Sequence, residues 1–483
     1  MDGIGALKGR ARKQFVTALA VLLFASLRLC HIHLLWSDED YHLAAALNIL
    51  HGKLPYRDFW YDKPPLSAIY YLIIGAHPGW LLRLLDTGYV LTACYLIYRL
   101  ARAWWGEAEA RIAALLLAFF LAFYLPSAVL PFAADALMII PHIGAIFYAF
   151  THRPFPAGLC CAAAFLVNPK ALFVLAVCAS WLLASLVPLF IGFLPPLFLA
   201  FGAAWLAGCW SGYCEQVWRW GWIYASQSPV IHPLHTAAVR ITDWLGFHSV
   251  ITAGTAVTLV RIDRRSRWML SSWIAFSFAS SCLGARFEPR YFLQLLPPLV
   301  LAGSRGIMIA CERYRRITLV LLLATLLVPL IRFGPHYASL AYDNLQDRQP
   351  PWTDVRLDLD SQAAASLISS TAQAGDTLFV WGYRPDIYVY TRLTSDGKFW
   401  DSQPLTGVPA DRHLHAGNPI YGGPAASNRL QLAATKPTWL VEGLGLLNPN
   451  LRLQNYPELH NWLSHYQAVG RTRFCIIYHR LHP

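Results

Sequence analysis

The chain has 483 residues, of which 56% are hydrophobic and only 14% charged, and it carries a formal net charge of +12. Too little polar surface remains to cover such a chain in water, so an ordinary soluble domain is excluded and a membrane protein is expected. The basic excess does not point to nucleic acid, because the bases sit in short clusters between apolar runs, where cytoplasmic membrane loops collect them.

In chain order, Lys8, Arg10, Arg12 and Lys13 precede an apolar run from about Phe15 to Leu35, long enough to span roughly 30 Å of hydrocarbon. The run exceeds a signal-peptide core and no small-residue cleavage site follows, so it reads as a first anchor with a cytoplasmic amino terminus. The loop Trp36 to Pro65 then emerges on the outer side. Within it Tyr41, Leu43, Ala44, Leu47 and Leu50 recur at helical spacing, which predicts an amphipathic helix along the membrane surface, ended by Gly52 and Pro55.

Further spans are expected at 79–98, 112–125, 128–150, 155–168, 171–187, 189–208, 241–260, 268–284, 291–310 and 317–333, giving about eleven in all. Arg99, Arg102 and Arg111, His152 and Arg153, Arg261 to Arg267, and Arg313 to Arg316 all then fall on the side of the amino terminus. Asn168-Pro169-Lys170 and Pro188, Pro195 and Pro196 punctuate one nearly continuous apolar stretch at 155–208. The aromatic-rich segment Trp210 to Tyr224 reads as an interfacial belt.

Past Gly334 the chain becomes water-soluble in character, with Asp343, Asp347, Asp354, Asp358 and Asp360 in quick succession. Strands are predicted at Thr377–Trp381, Thr438–Val441 and Arg473–His479, and helices at Ser361–Ala374 and Pro457–Tyr466, with Ala416–Asn428 as a loop. The expected organisation is a transmembrane domain over 1–334 and a small extracytoplasmic α/β domain over 335–483. Most of the ten cysteines lie in apolar segments without zinc or disulfide spacing; Cys209 and Cys214 flank one loop and are the candidates for a pair.

Ionisable groups placed within or at the rim of a membrane bundle are costly, which makes them functional candidates. Asp38 and Glu39, with Asp40, begin the first outer loop, and Asp62 and Lys63 end it. Asp135 lies near the end of the fourth span, Lys170 between two apolar runs, and Arg290 just before Tyr291. Acids able to act as a base, beside cations able to hold a phosphate, suit attack on a phosphate-activated substrate. Simpler roles suit the same residues: helix capping for the three acids, a surface ion pair for Asp62 and Lys63, snorkelling for Lys170, and pairing with Glu288 for Arg290.

Asp38-Glu39-Asp40-Tyr41, then Gly52-Lys53-Leu54-Pro55-Tyr56-Arg57-Asp58 and Asp62-Lys63-Pro64-Pro65-Leu66, together resemble the first outer loop of the GT-C membrane glycosyltransferases. The resemblance is to the bacterial branch containing the aminoarabinose transferases of lipid A and relatives of the protein O-mannosyltransferases. Arg290-Tyr291-Phe292-Leu293-Gln294-Leu295-Leu296-Pro297-Pro298 and Phe379-Val380-Trp381-Gly382-Tyr383 resemble recurring features of the same branch.

The resemblance implies a polytopic α-helical enzyme of the bacterial inner membrane. It would take a monosaccharide from a polyprenyl-phosphate donor and pass it, with inversion, to a lipid, polysaccharide or protein acceptor on the outer face. It assigns Asp38 as general base or acceptor-orienting group with Glu39 beside it, Asp135 as a second acid, and Lys63, Lys170 and Arg290 as donor-phosphate ligands. Asp40 departs from the usual small or neutral residue, and Asp62 remains a further candidate acid. No fixed metal is indicated by the 17 histidines, although a loosely held Mg²⁺ or Mn²⁺ on Asp38 or Glu39 is compatible with carboxylate chemistry. Two other classes fit the same composition: a polyprenyl-lipid or glycan transporter, and a non-catalytic lipid-binding member of the fold.

Overall fold

Apolar runs fold as helices here, and the polar and proline-bearing junctions set where each one stops. The computed structural model describes residues 18, 19, 21–125, 129–226, 230, 232–346, 352–414 and 417–481. The basic cluster Lys8 to Lys13, the start of the expected first anchor and Asp347 lie outside the described residues.

Among the described residues three helices are long and apolar enough to cross a membrane: Trp80–Trp104, Leu183–Leu206 and Pro289–Asp343. Shorter apolar helices cover Ala134–Phe150, Pro154–Val167, Pro169–Trp181 and Ser249–Arg261. Two boundaries differ from expectation. The span at 241–260 is two helices, Pro233–Phe247 and Ser249–Arg261, which meet at His248. The spans at 291–310 and 317–333 are two helices within Leu296–Gln346 that meet at a kink at Tyr314 (φ −136, ψ 51), without the connecting loop expected between them.

The chain forms two compact units. One comprises Met1–His33, Gly79–Pro196 and His232–Arg348; the other comprises Leu34–Pro78, Leu197–Ile231 and Gln349–Pro483. In the first, Ser249–Arg261 packs on Leu296–Gln346 so closely that a Cβ on Gly306 would stand 1.8 Å from the carbonyl oxygen of Gly254. That approach lets the hydroxyls of Thr255 and Thr258 donate across the helix pair to the carbonyls of Leu299 and Ala302, at 3.3 and 2.6 Å. Small residues that admit close backbones, with hydroxyls bonding across, are the usual means of packing apolar helices.

The second unit is built on a five-stranded sheet in the order β2-β1-β3-β5-β4. Its strands are β1 (Thr377–Trp381), β2 (Thr394–Ser395), β3 (Trp439–Glu442), β4 (Tyr466–Arg471) and β5 (Ile476–Arg480). β1 lies parallel to β2 and β3, and β5 is antiparallel to β3 and β4. The expected strands are present with small shifts. Helix Thr353–Ser369 begins earlier than predicted, and Pro457–Tyr466 resolves into short turns at Pro457–Leu459 and His460–Leu463. The expected loop over 416–428 is helical from Gly423 onward, through Ala433.

Helix Glu39–Leu50 belongs to this second unit and is not a surface helix: every residue from Glu39 to Asn48 is buried. Ala44, Ala45 and Ala46 give it a slim middle around which neighbours close on all sides, so its spacing pattern does not mark a wet face. Cys209 and Cys214 are both free thiols.

Candidate active site

Asp38 stands at the amino end of helix Glu39–Leu50 with φ 78 and ψ −35, a left-handed backbone that a non-glycine residue adopts only at a cost. Its side chain makes no capping bond to the helix. Instead Oδ1 accepts a hydrogen bond from the Tyr383 hydroxyl at 3.4 Å. Glu39 turns inward, is 0% exposed and accepts from the Trp36 backbone N–H at 3.0 Å. Asp40 is buried too, and accepts from the N–H of Tyr41 at 2.7 Å. Of the three consecutive acids, Asp38 alone retains partial exposure.

Asp40 belongs to a buried group of carboxyls with Asp358 and Asp386. Burial first, and then the charge of Asp386, pushes the Asp40 carboxyl well above the usual carboxylate range. Asp358 is held by the Tyr390 hydroxyl at 2.7 Å, the Gln362 amide at 2.8 Å and the Leu35 N–H at 3.2 Å. Arg384 supplies the nearby cation and pairs with Asp360 at 3.0 Å.

The loop that ends in Asp62 and Lys63 is held along its backbone. The Trp60 N–H donates to the carbonyl of Lys398 at 2.6 Å, and the Trp400 indole donates to the carbonyl of Trp60. Gln216 grips two further points: its Oε1 accepts from the Tyr61 N–H at 2.7 Å, and its Nε2 donates to the Tyr56 carbonyl at 2.8 Å. Gln216 sits in the π-helical turn Cys214–Arg219, and a Cβ on nearby Gly212 would meet the Tyr56 carbonyl at 2.2 Å. The Tyr56 hydroxyl then donates to the Lys63 carbonyl at 2.7 Å.

The loop therefore presents Lys63 from a fixed frame. Lys63 Nζ pairs with Asp62 at 3.0 Å, and the lysine side chain is 41% exposed against 12% for the acid. The Tyr41 ring stacks with Trp400, Tyr61 and Tyr383 at 4.9, 5.4 and 5.6 Å. The Tyr41 oxygen accepts from the Asp62 N–H at 3.3 Å. Asp401, 1% exposed, follows Trp400; burial raises its carboxyl to about 7, with the charge of Asp62 adding to the shift and Lys63 opposing it.

In the other unit Asp135, Lys170 and Arg290 gather near the ring of Tyr291. Asp135 Oδ1 accepts from Asn168 Nδ2 at 3.0 Å and pairs with Lys170 Nζ at 3.3 Å. The same ammonium lies 3.5 Å from the centre of the Tyr291 ring, and the Arg290 guanidinium lies 5.9 Å from it. Lys170 is thus an ion-paired, ring-capped cation, not one snorkelling from a helix end. Asn168-Pro169-Lys170 forms the break between Pro154–Val167 and Leu172–Trp181, which is why both polar side chains converge on one acid. Glu288 faces Arg240 at 3.8 Å.

A buried relay continues inward from Asp135. Gln294 Nε2 donates to the Asp135 carbonyl at 2.9 Å, and Gln294 Oε1 meets His142 Nδ1 at 3.0 Å. His142 Nε2 meets the Trp273 indole N–H at 2.8 Å. Indole only donates, so Nε2 accepts, Nδ1 carries the proton and donates to Gln294, and the amide orientation follows.

Gln216, Tyr383, Asp401, Gln294 and His142 were not among the residues the sequence picked out as a site. Gln216 has a faint local signal as a lone amide in an aromatic belt, and Gln294 and Tyr383 stand inside two of the quoted motifs without a role of their own there; Asp401 and His142 are recognisable only by partners distant in sequence. Among the described residues no group of three or more His, Cys, Asp or Glu is arranged to hold a metal ion.

No protein-family model and no curated protein sequence matches the chain. Among solved structures, it is similar to ArnT from Cupriavidus metallidurans bound to undecaprenyl phosphate, at 12% identity and a TM-score of 0.63, over 97% of this chain and 98% of that one. The apo form of the same protein aligns at 14% identity and a TM-score of 0.60, over 98% of both chains. The Archaeoglobus fulgidus oligosaccharyltransferase tethered to an acceptor peptide aligns at 13% identity and a TM-score of 0.53, over 90% of this chain and 69% of that one. These are proteins of the GT-C fold, and this chain shares that helical membrane-protein fold over nearly its whole length, as its loop motifs implied.

Proposed function

We propose that this chain is a membrane glycosyltransferase that moves a monosaccharide from a polyprenyl-phosphate donor to an acceptor hydroxyl or phosphate, with inversion. The observation that carries the reading is Asp38: strained, partly exposed, hydrogen-bonded to Tyr383, and in the same unit as a rigid loop that offers the Lys63 ammonium. The undecaprenyl phosphate bound in the ArnT structure supports a lipid-phosphate donor.

In this reading Asp38 accepts the proton of the acceptor hydroxyl as its oxygen bonds to the anomeric carbon. The bond from that carbon to the phosphate oxygen breaks, and polyprenyl phosphate leaves with the electron pair. Lys63, Lys170 and Arg290 are the cations assigned to the charge that develops on the phosphate, the term that positioned cations serve best. Asp135 orients Lys170, Asp62 orients Lys63, and Glu39 and Asp40 act from inside the unit by fixing the helix start. The reading places the chain in a bacterial inner membrane with about eleven spans, a cytoplasmic amino terminus and residues 335–483 outside the cytoplasm.

The test is sugar transfer from a panel of radiolabelled polyprenyl-phosphate monosaccharides by the purified protein in lipid. Transfer by the wild type, abolished in Asp38→Asn with donor binding retained and impaired in Asp135→Asn, is the expected result. If no donor reacts or binds, and the lipid carrier crosses the bilayer faster when the protein is present, a transporter replaces the enzyme.

A further inference from the structure

Trp60 lies two residues before Asp62 in the loop clamped by Gln216, and its ring forms one wall of a cavity of about 380 Å³. Trp220 forms a second wall, its ring 5.8 Å from Trp60 and nearly perpendicular at 87°. Trp218 and Trp222 on the same segment are 43% and 76% exposed, as an interfacial belt requires. Trp220 departs from that belt and turns onto the loop, directly after the π-helical turn that aims Gln216.

The remaining lining is mixed. Ile223 and Pro404 extend the apolar floor, while Glu215, Arg219 and Asn428 bring polar groups. Glu215 is fixed by Lys398 at 3.3 Å, and Asn428 donates to the Pro404 carbonyl at 2.8 Å, which leaves its own amide oxygen uncommitted among the described residues. Arg219 has no hydrogen-bond or ion-pair partner among the described residues.

We propose that this cavity is an acceptor subsite that takes a sugar ring of a carbohydrate acceptor. The inference rests on the transferase reading for the word acceptor, but the recognition is argued from the cavity. Two rings at a right angle offer apolar surface for the C–H patch of a pyranose, and amphipathic aromatic walls suit a ligand that is apolar on one side and wet on the other. A planar amide, a carboxylate and an open guanidinium match hydroxyl groups along its edge. An acyl chain makes no use of those three polar groups. The volume lies in the small-ligand range of about 300–1,000 Å³.

Binding is read on the full-length protein in nanodiscs without donor, by tryptophan fluorescence and saturation-transfer NMR. The probes are soluble di- and trisaccharides of neutral hexoses, hexosamines and uronic acids, with octanol as the alkyl control. Two variants address the cavity: Arg219→Ala, at an exposed position, and Gly422→Phe, at a lining glycine where an added Cβ meets nothing within 4 Å. The expected result is a saccharide whose affinity falls about tenfold in Arg219→Ala, the scale of one charged hydrogen bond, and is lost in Gly422→Phe, with polyprenyl-phosphate binding as in the wild type. Failure of every saccharide to bind, equal binding by both variants, or occupation by octanol alone overturns the proposal. Saccharide binding that both variants weaken, in a protein that transfers from no donor, upholds the subsite and sinks the transferase reading. Transfer with an unchanged acceptor KM in both variants does the reverse.

Discussion

The Tyr383 hydroxyl reaches Oδ1 of Asp38 at 3.4 Å across 345 residues of chain. A donor aimed at one oxygen orients the carboxylate. Tyr383→Phe keeps the ring that stacks at 5.6 Å on Tyr41 and removes only that donor. A hydrogen bond to a carboxylate is worth about 1.5–3 kcal/mol at ideal length, and one of 3.4 Å falls below that range. The transfer kcat is therefore expected to fall about two- to tenfold with little change in donor KM, read by steady-state kinetics; an unaltered kcat removes Tyr383 from the mechanism.

Gln216 has two jobs that no apolar residue performs. Gln216→Leu orphans the N–H of Tyr61 and the carbonyl of Tyr56, with a penalty of roughly 1–3 kcal/mol for each group that stays buried. The expected outcome is a clearly lowered melting temperature in detergent and loss of transfer from a loop no longer held. Gln216→Glu keeps the acceptor for Tyr61 but turns a second oxygen toward the Tyr56 carbonyl, so it is expected to fall between the two.

Asp401 ties stability to pH. Its folded-state value of about 7 lies above the ordinary aspartate value of 3.8, so the native protein holds this proton where the unfolded chain has released it. The proton's contribution is fully present below the unfolded value and is lost progressively as pH rises toward the folded one. Asp401→Asn removes a buried charge that exists only at the upper end of that window. Its melting temperature is expected to match the wild type near pH 4, to exceed it increasingly up to about pH 7, and to hold a constant gap above. A gap independent of pH contradicts the assignment.

Asp135 and Lys170 are 14% and 15% exposed and pair at 3.3 Å, so two largely buried opposite charges face each other. Removing one partner of a buried pair costs about 3–5 kcal/mol, whereas replacing both is far milder. Lys170→Met alone is expected to destabilise more than the double change with Asp135→Asn, as measured in a thermal double-mutant cycle. Donor binding separates function from stability: it is expected to be impaired in the double variant even where the fold recovers.

The loop motifs were legible because they are local. Gly52 and Tyr56 sit in left-handed backbone, at φ 79 and φ 70, where the Gly-Lys-Leu-Pro-Tyr stretch turns. The convergence on Asp135 was half legible, since Asn168-Pro169-Lys170 stands out against apolar flanks and Gln294 lies in the motif that Arg290 opens, while His142 has no such signal. Two readings went astray for one reason. The spacing in helix Glu39–Leu50 looked amphipathic, and the segment over 416–428 looked irregular, because periodicity and glycine content report what a segment prefers alone and not what packs against it.

By itself the sequence determined the solvent this protein folds in, the order of its motifs and the resemblance that names its fold, since hydrophobicity and short spacing patterns accumulate residue by residue along the chain. Only the tertiary structure decided that Asp38 opens outward while Glu39 and Asp40 close inward, that Gln216 clamps the loop before Lys63, and that Trp60 and Trp220 make the corner of a cavity. Those choices depend on contacts between segments far apart in the chain, and a side chain's burial, partner and charge state are settled by what closes over it.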